Sequence, residues 1–323
     1  MREAIRKFIG IDLGGTNIAV GIVDEKGNIL HEGSTPTLPG RPFEDIVKDI
    51  ANCALTTLEQ AQIPLSQIES IGVGIPGIAD HHTGVILFCT NLGWRNEPFR
   101  EVFQKYIDKP IFFGNDATVA GFAESIIGVS KDCASSVFLT LGTGVGGGII
   151  LNGKPWEGHH GTGSEIGHVT LVAGGEPCTC GKRGCLERYC SATALIRMGN
   201  EGIMMKPNTV LNEMRNGDPA LLTGKMVIDA AKEGDAVAVE VFSQYITYLT
   251  TAINTIITFL DPEMIVLGGG VSKAGDFLLE AIKAELPKYL LYEGVPYAEI
   301  KIAQLGGTAG IVGAAMLGYA FTK

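Results

Sequence analysis

Phe8-Ile9-Gly10-Ile11-Asp12-Leu13-Gly14-Gly15-Thr16-Asn17-Ile18-Ala19-Val20-Gly21-Ile22-Val23 reads as two apolar strands folded about a glycine turn. Residues 8–13 predict the first strand, Gly14-Gly15-Thr16 a tight reversal and residues 18–23 the second strand. Asp24-Glu25-Lys26-Gly27-Asn28 turns the chain again before Ile29, which makes an antiparallel meander. Helix and strand then alternate. Apolar residues at Phe43, Ile46, Val47, Ile50, Ala54 and Leu58 mark an amphipathic helix, followed by a strand over 68–73, a helix over 99–106, a strand over 111–113 and a helix over 118–126. A second strand, glycine-threonine turn and strand appears over 136–151 and echoes the first. A long helix over 237–259, a buried strand over 264–267 and a last helix beginning near Thr308 complete an α/β chain, the last helix being expected to pack back on the first domain.

Composition narrows the function. A chain of 323 residues with 46% hydrophobic content exceeds the size at which one core usually divides, so two domains with a cleft between them are expected. A formal net charge of -10 without Lys/Arg clusters argues against partners with phosphate backbones or anionic membranes, leaving small molecules. No stretch reaches the length of a membrane span without polar residues, and Met1-Arg2-Glu3-Ala4-Ile5-Arg6-Lys7 lacks the apolar core of a signal peptide. Cys53, Cys89, Cys133 and Cys190 are scattered through apolar or helical surroundings and are read as reduced packing residues of a cytoplasmic protein.

Asp12 is an acid inside an apolar strand, with bare backbone directly after it. Glycine lets N–H groups approach a phosphate oxygen closely, Thr16 adds a hydroxyl and Asp12 can hold the magnesium that neutralises a nucleotide. A plain hairpin turn explains the glycines but not the acid. Gly142-Thr143-Gly144-Val145-Gly146-Gly147-Gly148 forms a second such loop, and the two together suit a nucleoside triphosphate. Gly268-Gly269-Gly270 follows a buried strand and offers a flat wall for a purine, although a strand-to-helix turn looks the same. Neither loop fits the P-loop or the dinucleotide fingerprint.

Asn115-Asp116 ends a strand and opens a helix. One reading is a helix cap; the other places a carboxylate where open α/β sheets present their working residues, ready to accept the proton of an attacking hydroxyl. Further along, His168, Cys178, Cys180 and Cys185 carry the donor types and spacing of a tetrahedral Cys3His zinc site. A metal there would fix a turn carrying Glu165 and Glu187, two acids able to grip a polyol, so the zinc builds the pocket and does not do the chemistry. Gly74-Ile75-Pro76-Gly77 and Asn91-Leu92-Gly93-Trp94 add the amide and close backbone contacts typical of carbohydrate sites. His81-His82 and His159-His160 are read as solvated loop residues.

As an ordered set, these segments, closed by Gly307-Thr308-Ala309-Gly310, resemble the ROK family of sugar kinases within the actin-like ATPase superfamily, most closely its bacterial glucokinase branch. The resemblance spans nearly the whole chain. It implies an α/β, two-domain actin-like ATPase (ribonuclease H-like) fold, with a smaller N-terminal domain of residues 1–115 plus 307–323 and a larger domain of 116–306 holding a structural zinc site. It implies Asp116 as general base, Gly77, Asn91, Asn115, Asp116, Glu165, His168 and Glu187 as sugar contacts, and His168, Cys178, Cys180 and Cys185 as zinc ligands. Nucleotide contacts fall on Asp12, Gly14, Gly15, Thr16, Asn17, Gly142, Thr143, Gly144, Gly268, Gly269 and Gly270.

The activity implied is transfer of the γ-phosphoryl group of ATP, with Mg2+, to the primary 6-hydroxyl of glucose, by a homodimer or dimer of dimers. N-acetylmannosamine and N-acetylglucosamine kinases share the zinc motif and are the alternative. Sugar-responsive repressors of the family carry a helix-turn-helix ahead of the kinase-like part; here seven residues precede the first strand and both glycine loops are intact, which disfavours that reading. Thr118 departs from the asparagine that relatives often carry shortly after the catalytic acid.

Overall fold

The computed structural model describes residues 5–321. The chain divides into two compact units: one holds residues up to Ser136, Gly148–Ser164 and the stretch from Gln304 onward, the other Val137–Gly147 and Glu165–Ala303.

The first unit opens with the expected meander, β1 (Lys7–Leu13), β2 (Asn17–Asp24) and β3 (Ile29–Pro36), and continues with α1 (Phe43–Gln60) and β4 (Ile68–Ile75). A small antiparallel sheet of β5 (Gly77–Ala79), β6 (Ile86–Cys89) and β7 (Trp94–Glu97) interrupts the alternation, which resumes with α2 (Phe99–Gln104), β8 (Ile111–Asn115) and α3 (Asp116–Ile126). The main sheet runs β3-β2-β1-β4-β8, antiparallel across the meander and parallel from β1 through β4 to β8. Strands β1 and β4 are buried along most of their length, as strands covered on both faces must be.

One face carries α1, whose Phe43, Ile46, Val47, Ile50, Ala54 and Leu58 enter the core. The other core joins α3 to α11 (Ala309–Phe321), a helix apolar on all sides and buried almost throughout. That approach depends on missing side chains. A Cβ at Gly72 of β4 would strike the carbonyl of Ala314, and one at Gly313 the carbonyl of Val119 in α3. The fully buried carboxylate of Glu124 closes the same layer, Oε1 accepting from the N–H groups of Gln304 and Leu305 at 2.8 Å each and Oε2 from that of Val129 at 2.9 Å. This packing groups α3 and α11 in the first unit, together with Gly148–Ser164.

The division between units falls within β9 (Ser135–Leu141) and β10 (Val145–Leu151). Strand β11 (Lys154–Trp156) pairs antiparallel with the end of β10. The second unit continues through α4 (Glu187–Cys190), α5 (Ala192–Met205), α6 (Val210–Met214), α7 (Gly224–Lys232), α8 (Ala236–Leu260), β12 (Met264–Gly268), α9 (Gly269–Ser272), α10 (Asp276–Glu285) and β13 (Glu299–Ile302). The other five-stranded sheet, in the order β11-β10-β9-β12-β13, repeats the progression of the first, and β12 pairs parallel with β13. The glycine-threonine echo therefore marks a repeated sheet plan. Helix α8 starts on the side chain of Asp235, which accepts from the N–H groups of Val237 and Ala238, and ends at Asp261 with a φ of 43°. Among the described residues no helix is long and apolar enough to cross a membrane.

Candidate active site and metal cluster

In the first unit, Asp12 sits near the C-terminal end of β1, and burial pushes its carboxyl above the usual carboxylate range. The turn that follows is closed by the N–H of Gly14 donating to the carbonyl of Asn17 at 3.0 Å. Thr37 ties it from outside: its hydroxyl donates to the carbonyl of Gly14 at 2.7 Å, and its N–H to that of Thr16 at 3.0 Å. Thr16 and Asn17 stay exposed, and the amides of this turn are thus held on a fixed frame. Gly310, in the closing Gly307-Thr308-Ala309-Gly310 motif, lies so close to Asp12 that a Cβ there would collide with its carboxylate. Asn91 was expected among the sugar contacts. It is a neighbour of the glycine turn, with its Cβ at 3.4 Å from where a Cβ of Gly15 would stand.

Asn115 and Asp116 differ in what they bond. Asn115 is the cap: its Oδ1 accepts from the N–H groups of Ala117 at 3.0 Å and Thr118 at 3.4 Å. Asp116 is the first residue of α3 and is exposed, its Oδ1 accepting from the N–H of Ala117 at 2.8 Å. The nearby Cys89 thiol is pushed up to about 11 by burial, with the negative charge of Asp116 contributing. The amide Nδ2 of Asn115 reaches the carbonyl of Gly77 at 3.4 Å, so these two expected sugar contacts do meet. Thr118 is fully buried beneath the helix start, away from the exposed carboxylate.

Sequence reading missed Glu157. Its Oε1 accepts from the backbone N–H of Asn115 at 3.2 Å and its Oε2 meets Nε2 of His81 at 2.8 Å. His81 is therefore an ion-pair partner and not a plain solvated loop residue; its pKa is raised, chiefly by the bond to Glu157. A lone acid between Trp156 and Gly158 carries no periodic signal that would have exposed it.

In the second unit, the turn at Gly142-Thr143-Gly144 is closed by the N–H of Gly142 donating to the carbonyl of Gly144 at 3.0 Å. Helix α5 braces it, the N–H of Ala192 donating to the carbonyl of Gly142 at 2.8 Å and the hydroxyl of Thr193 to that of Thr143 at 2.7 Å. Glu187 faces this turn, its Oε2 accepting from the N–H of Val145 at 3.1 Å. Glu165 is exposed, yet desolvation raises its pKa, with Glu187 adding to the rise and His168 opposing it, so these three groups share one neighbourhood. Gly268-Gly269-Gly270 is a strand-to-helix turn, with Gly269 at a φ of 83° directly against the backbone of Leu141.

The donor atoms of His168, Cys178, Cys180 and Cys185 all lie within 4.8 Å of one another. Nδ1 of His168 is 3.8 Å from Sγ of Cys178, and the sulfurs of Cys180 and Cys185 are 3.6 Å apart. Zinc–sulfur bonds of about 2.3 Å on a tetrahedron require sulfurs about 3.8 Å apart, so the four residues fit that ion. Burial, with the neighbouring cysteines adding to it, pushes the Cys185 thiol up to about 12. A bare cluster resists ionising together; a cation removes that resistance.

These features define an α/β protein with mixed sheets, two braced glycine turns, an exposed carboxylate at a strand end and a Cys3His cluster. The chain belongs to the ROK family, whose model matches residues 8–320. It is 38% identical to a glucokinase of Halalkalibacterium halodurans, over 97% of this chain and 94% of that protein. Among solved structures, a ROK family glucokinase from Streptomyces griseus in complex with glucose and AMPPNP is 35% identical, with a TM-score of 0.80 over 96% of this chain and 98% of that one. The ROK hexokinase from Thermus thermophilus is 32% identical, with a TM-score of 0.83 over 98% and 99% of the two chains.

Proposed function

We propose that this protein is an ATP-dependent glucokinase, moving the γ-phosphoryl group of ATP to the 6-hydroxyl of glucose. The likeness to glucokinases over nearly the full length supports the reaction class. The observation that carries the chemistry is the division of labour at the start of α3: Asn115 caps the helix, which leaves the carboxylate of Asp116 exposed at the end of a parallel strand.

In this reading Asp116 accepts the proton of the attacking hydroxyl as the phosphorus–oxygen bond forms, and the leaving group is ADP. The amides of the turns at Gly14-Gly15-Thr16-Asn17 and Gly142-Thr143-Gly144 stabilise charge on phosphate oxygens. Asp12 would hold a magnesium ion, which supplies charge neutralisation on the triphosphate. Gly268, Gly269 and Gly270 line the base. Gly77, Asn91, Asn115, Glu165, His168 and Glu187 hold the sugar hydroxyls, and His168, Cys178, Cys180 and Cys185 would hold Zn2+, which supplies rigidity to the segment bearing Glu165 and Glu187. The enzyme works in the cytoplasm as a homodimer or dimer of dimers.

A coupled assay with ATP and Mg2+ across glucose, N-acetylmannosamine, N-acetylglucosamine and fructose at equal concentration tests the assignment. Glucose is expected to have the highest kcat/KM. Preference for an N-acetylated sugar would overturn the substrate, and the absence of any phosphorylated sugar the reaction.

A further inference from the structure

Glu157 and His81 have no part in the chemistry described above, yet they converge on the backbone that presents it. Glu157 comes from the segment after β11, where the N–H of Gly163 donates to its carbonyl at 2.7 Å and the Ser164 hydroxyl to that of Trp156 at 2.7 Å. His81 comes from the tight loop between β5 and β6. That loop is fixed from two sides. The side chain of Asp80 accepts from the N–H groups of His82 at 2.8 Å and Thr83 at 3.2 Å, and the guanidinium of Arg100 donates to the carbonyls of His82 at 2.6 Å, His81 at 2.8 Å and Ile111 at 3.3 Å.

An imidazole held in this way offers Nε2 in one direction. It meets Oε2 of Glu157 at 2.8 Å, which leaves Oε1 to take the N–H of Asn115 at 3.2 Å. That N–H belongs to the last residue of β8, which pairs with Ile75 of β4 and caps α3 directly after it. The side chain of Glu157 is 16% exposed, shielded enough for its bonds to hold direction. The space beside Gly77, His81, Asn115 and Glu157 is about 10 Å3, roughly one water molecule.

We propose that Glu157, held by His81, is a positioning residue: it fixes the backbone of Asn115 and through it the direction of the Asp116 carboxylate. The inference rests on the glucokinase reading of that carboxylate. Removing the anchor lets Asn115-Asp116 shift, and displacements on the order of 1 Å at a reacting group cost up to about a hundredfold in rate.

The test compares Glu157→Ala, Glu157→Gln and His81→Ala in the full chain. Glu157→Ala is expected to lower kcat/KM for glucose by about ten- to a hundredfold with the KM for ATP within twofold of wild type. Glu157→Gln keeps an oxygen for the Asn115 N–H and is expected to restore activity to within about threefold, with His81→Ala falling between the two. Hydrogen exchange of the Asn115 amide, faster in Glu157→Ala and near wild type in Glu157→Gln, reads the bond without any turnover. Wild-type kinetics in Glu157→Ala would overturn the proposal, as would a uniform loss of glucose and ATP parameters with a lowered Tm and no rescue by glutamine. A wild-type protein that phosphorylates no sugar, yet shows the exchange difference, would sink the glucokinase reading and leave the anchor standing.

Discussion

The carboxylate of Asp12 occupies the space that a Cβ on Gly310 would need, leaving no room for a side chain at position 310. Residues from opposite ends of the chain thereby set the floor beneath the first glycine turn. Gly310→Ala is expected to cost about 1–3 kcal/mol of stability by overpacking and to turn Asp12 aside. The measurement is the KM for Mg-ATP beside that for glucose. The former should rise by about tenfold or more and the latter should hold.

The desolvation of Asp12 has a sign that pH can read. A carboxyl whose folded pKa is raised above its unfolded value makes the charged form costly in the folded protein. That cost is full above the folded pKa and vanishes below the unfolded one, near 3.8. Asp12→Asn is therefore expected to raise Tm at pH 7, with the gain shrinking as pH falls through the raised pKa and disappearing below the ordinary carboxylate range. Thermal melts of both proteins across pH check this, and the same substitution should abolish Mg2+-dependent turnover.

Asp116→Asn leaves the capping bonds of Asn115 in place, so the helix start should persist. Turnover is expected to fall by two to four orders of magnitude, on the order of what loss of a general base costs, while glucose affinity stays largely intact. Equilibrium glucose binding beside kcat separates the two. Near-normal kcat would remove Asp116 from the role of base.

Cys180→Ser removes one of four donors from the cluster. Bound zinc, measured by atomic absorption, should fall, and the glucose KM should rise by about ten- to a hundredfold, since Glu165, His168 and Glu187 lie on the segment the ion would fix. Lost metal with an unchanged glucose KM would break the link between ion and acceptor pocket.

Much of this was legible in the residues. The alternation through 8–23 located β1, β2 and the turn between them because a buried strand ending in bare glycine has a signature of its own. The cysteine spacing located the cluster, whose sulfurs and imidazole the fold brings together. The period of apolar residues found α1 and α8 to within a residue or two. The short strands β5, β6 and β7 were missed because three or four residues are too few to show alternation, and α5, α6 and α7 because interruptions such as Pro207 and Gly224 hide the period. Which of Asn115 and Asp116 caps the helix could not be told from sequence, since either residue type can; only the hydrogen bonds name Asn115. Glu157 depends on residues 42 and 76 positions away in the chain, Asn115 and His81, and no local pattern encodes such a meeting.

Helix α11 covers β1, β2 and β4, and about 300 residues of chain are made between β1 and that helix. During synthesis the first sheet emerges early with one apolar face bare, and its cover is among the last pieces delivered. The nascent first unit cannot finish folding when its strands leave the ribosome. That cover arrives only after the second unit is translated, so premature termination anywhere in that interval leaves bare the face of the sheet that α11 would bury.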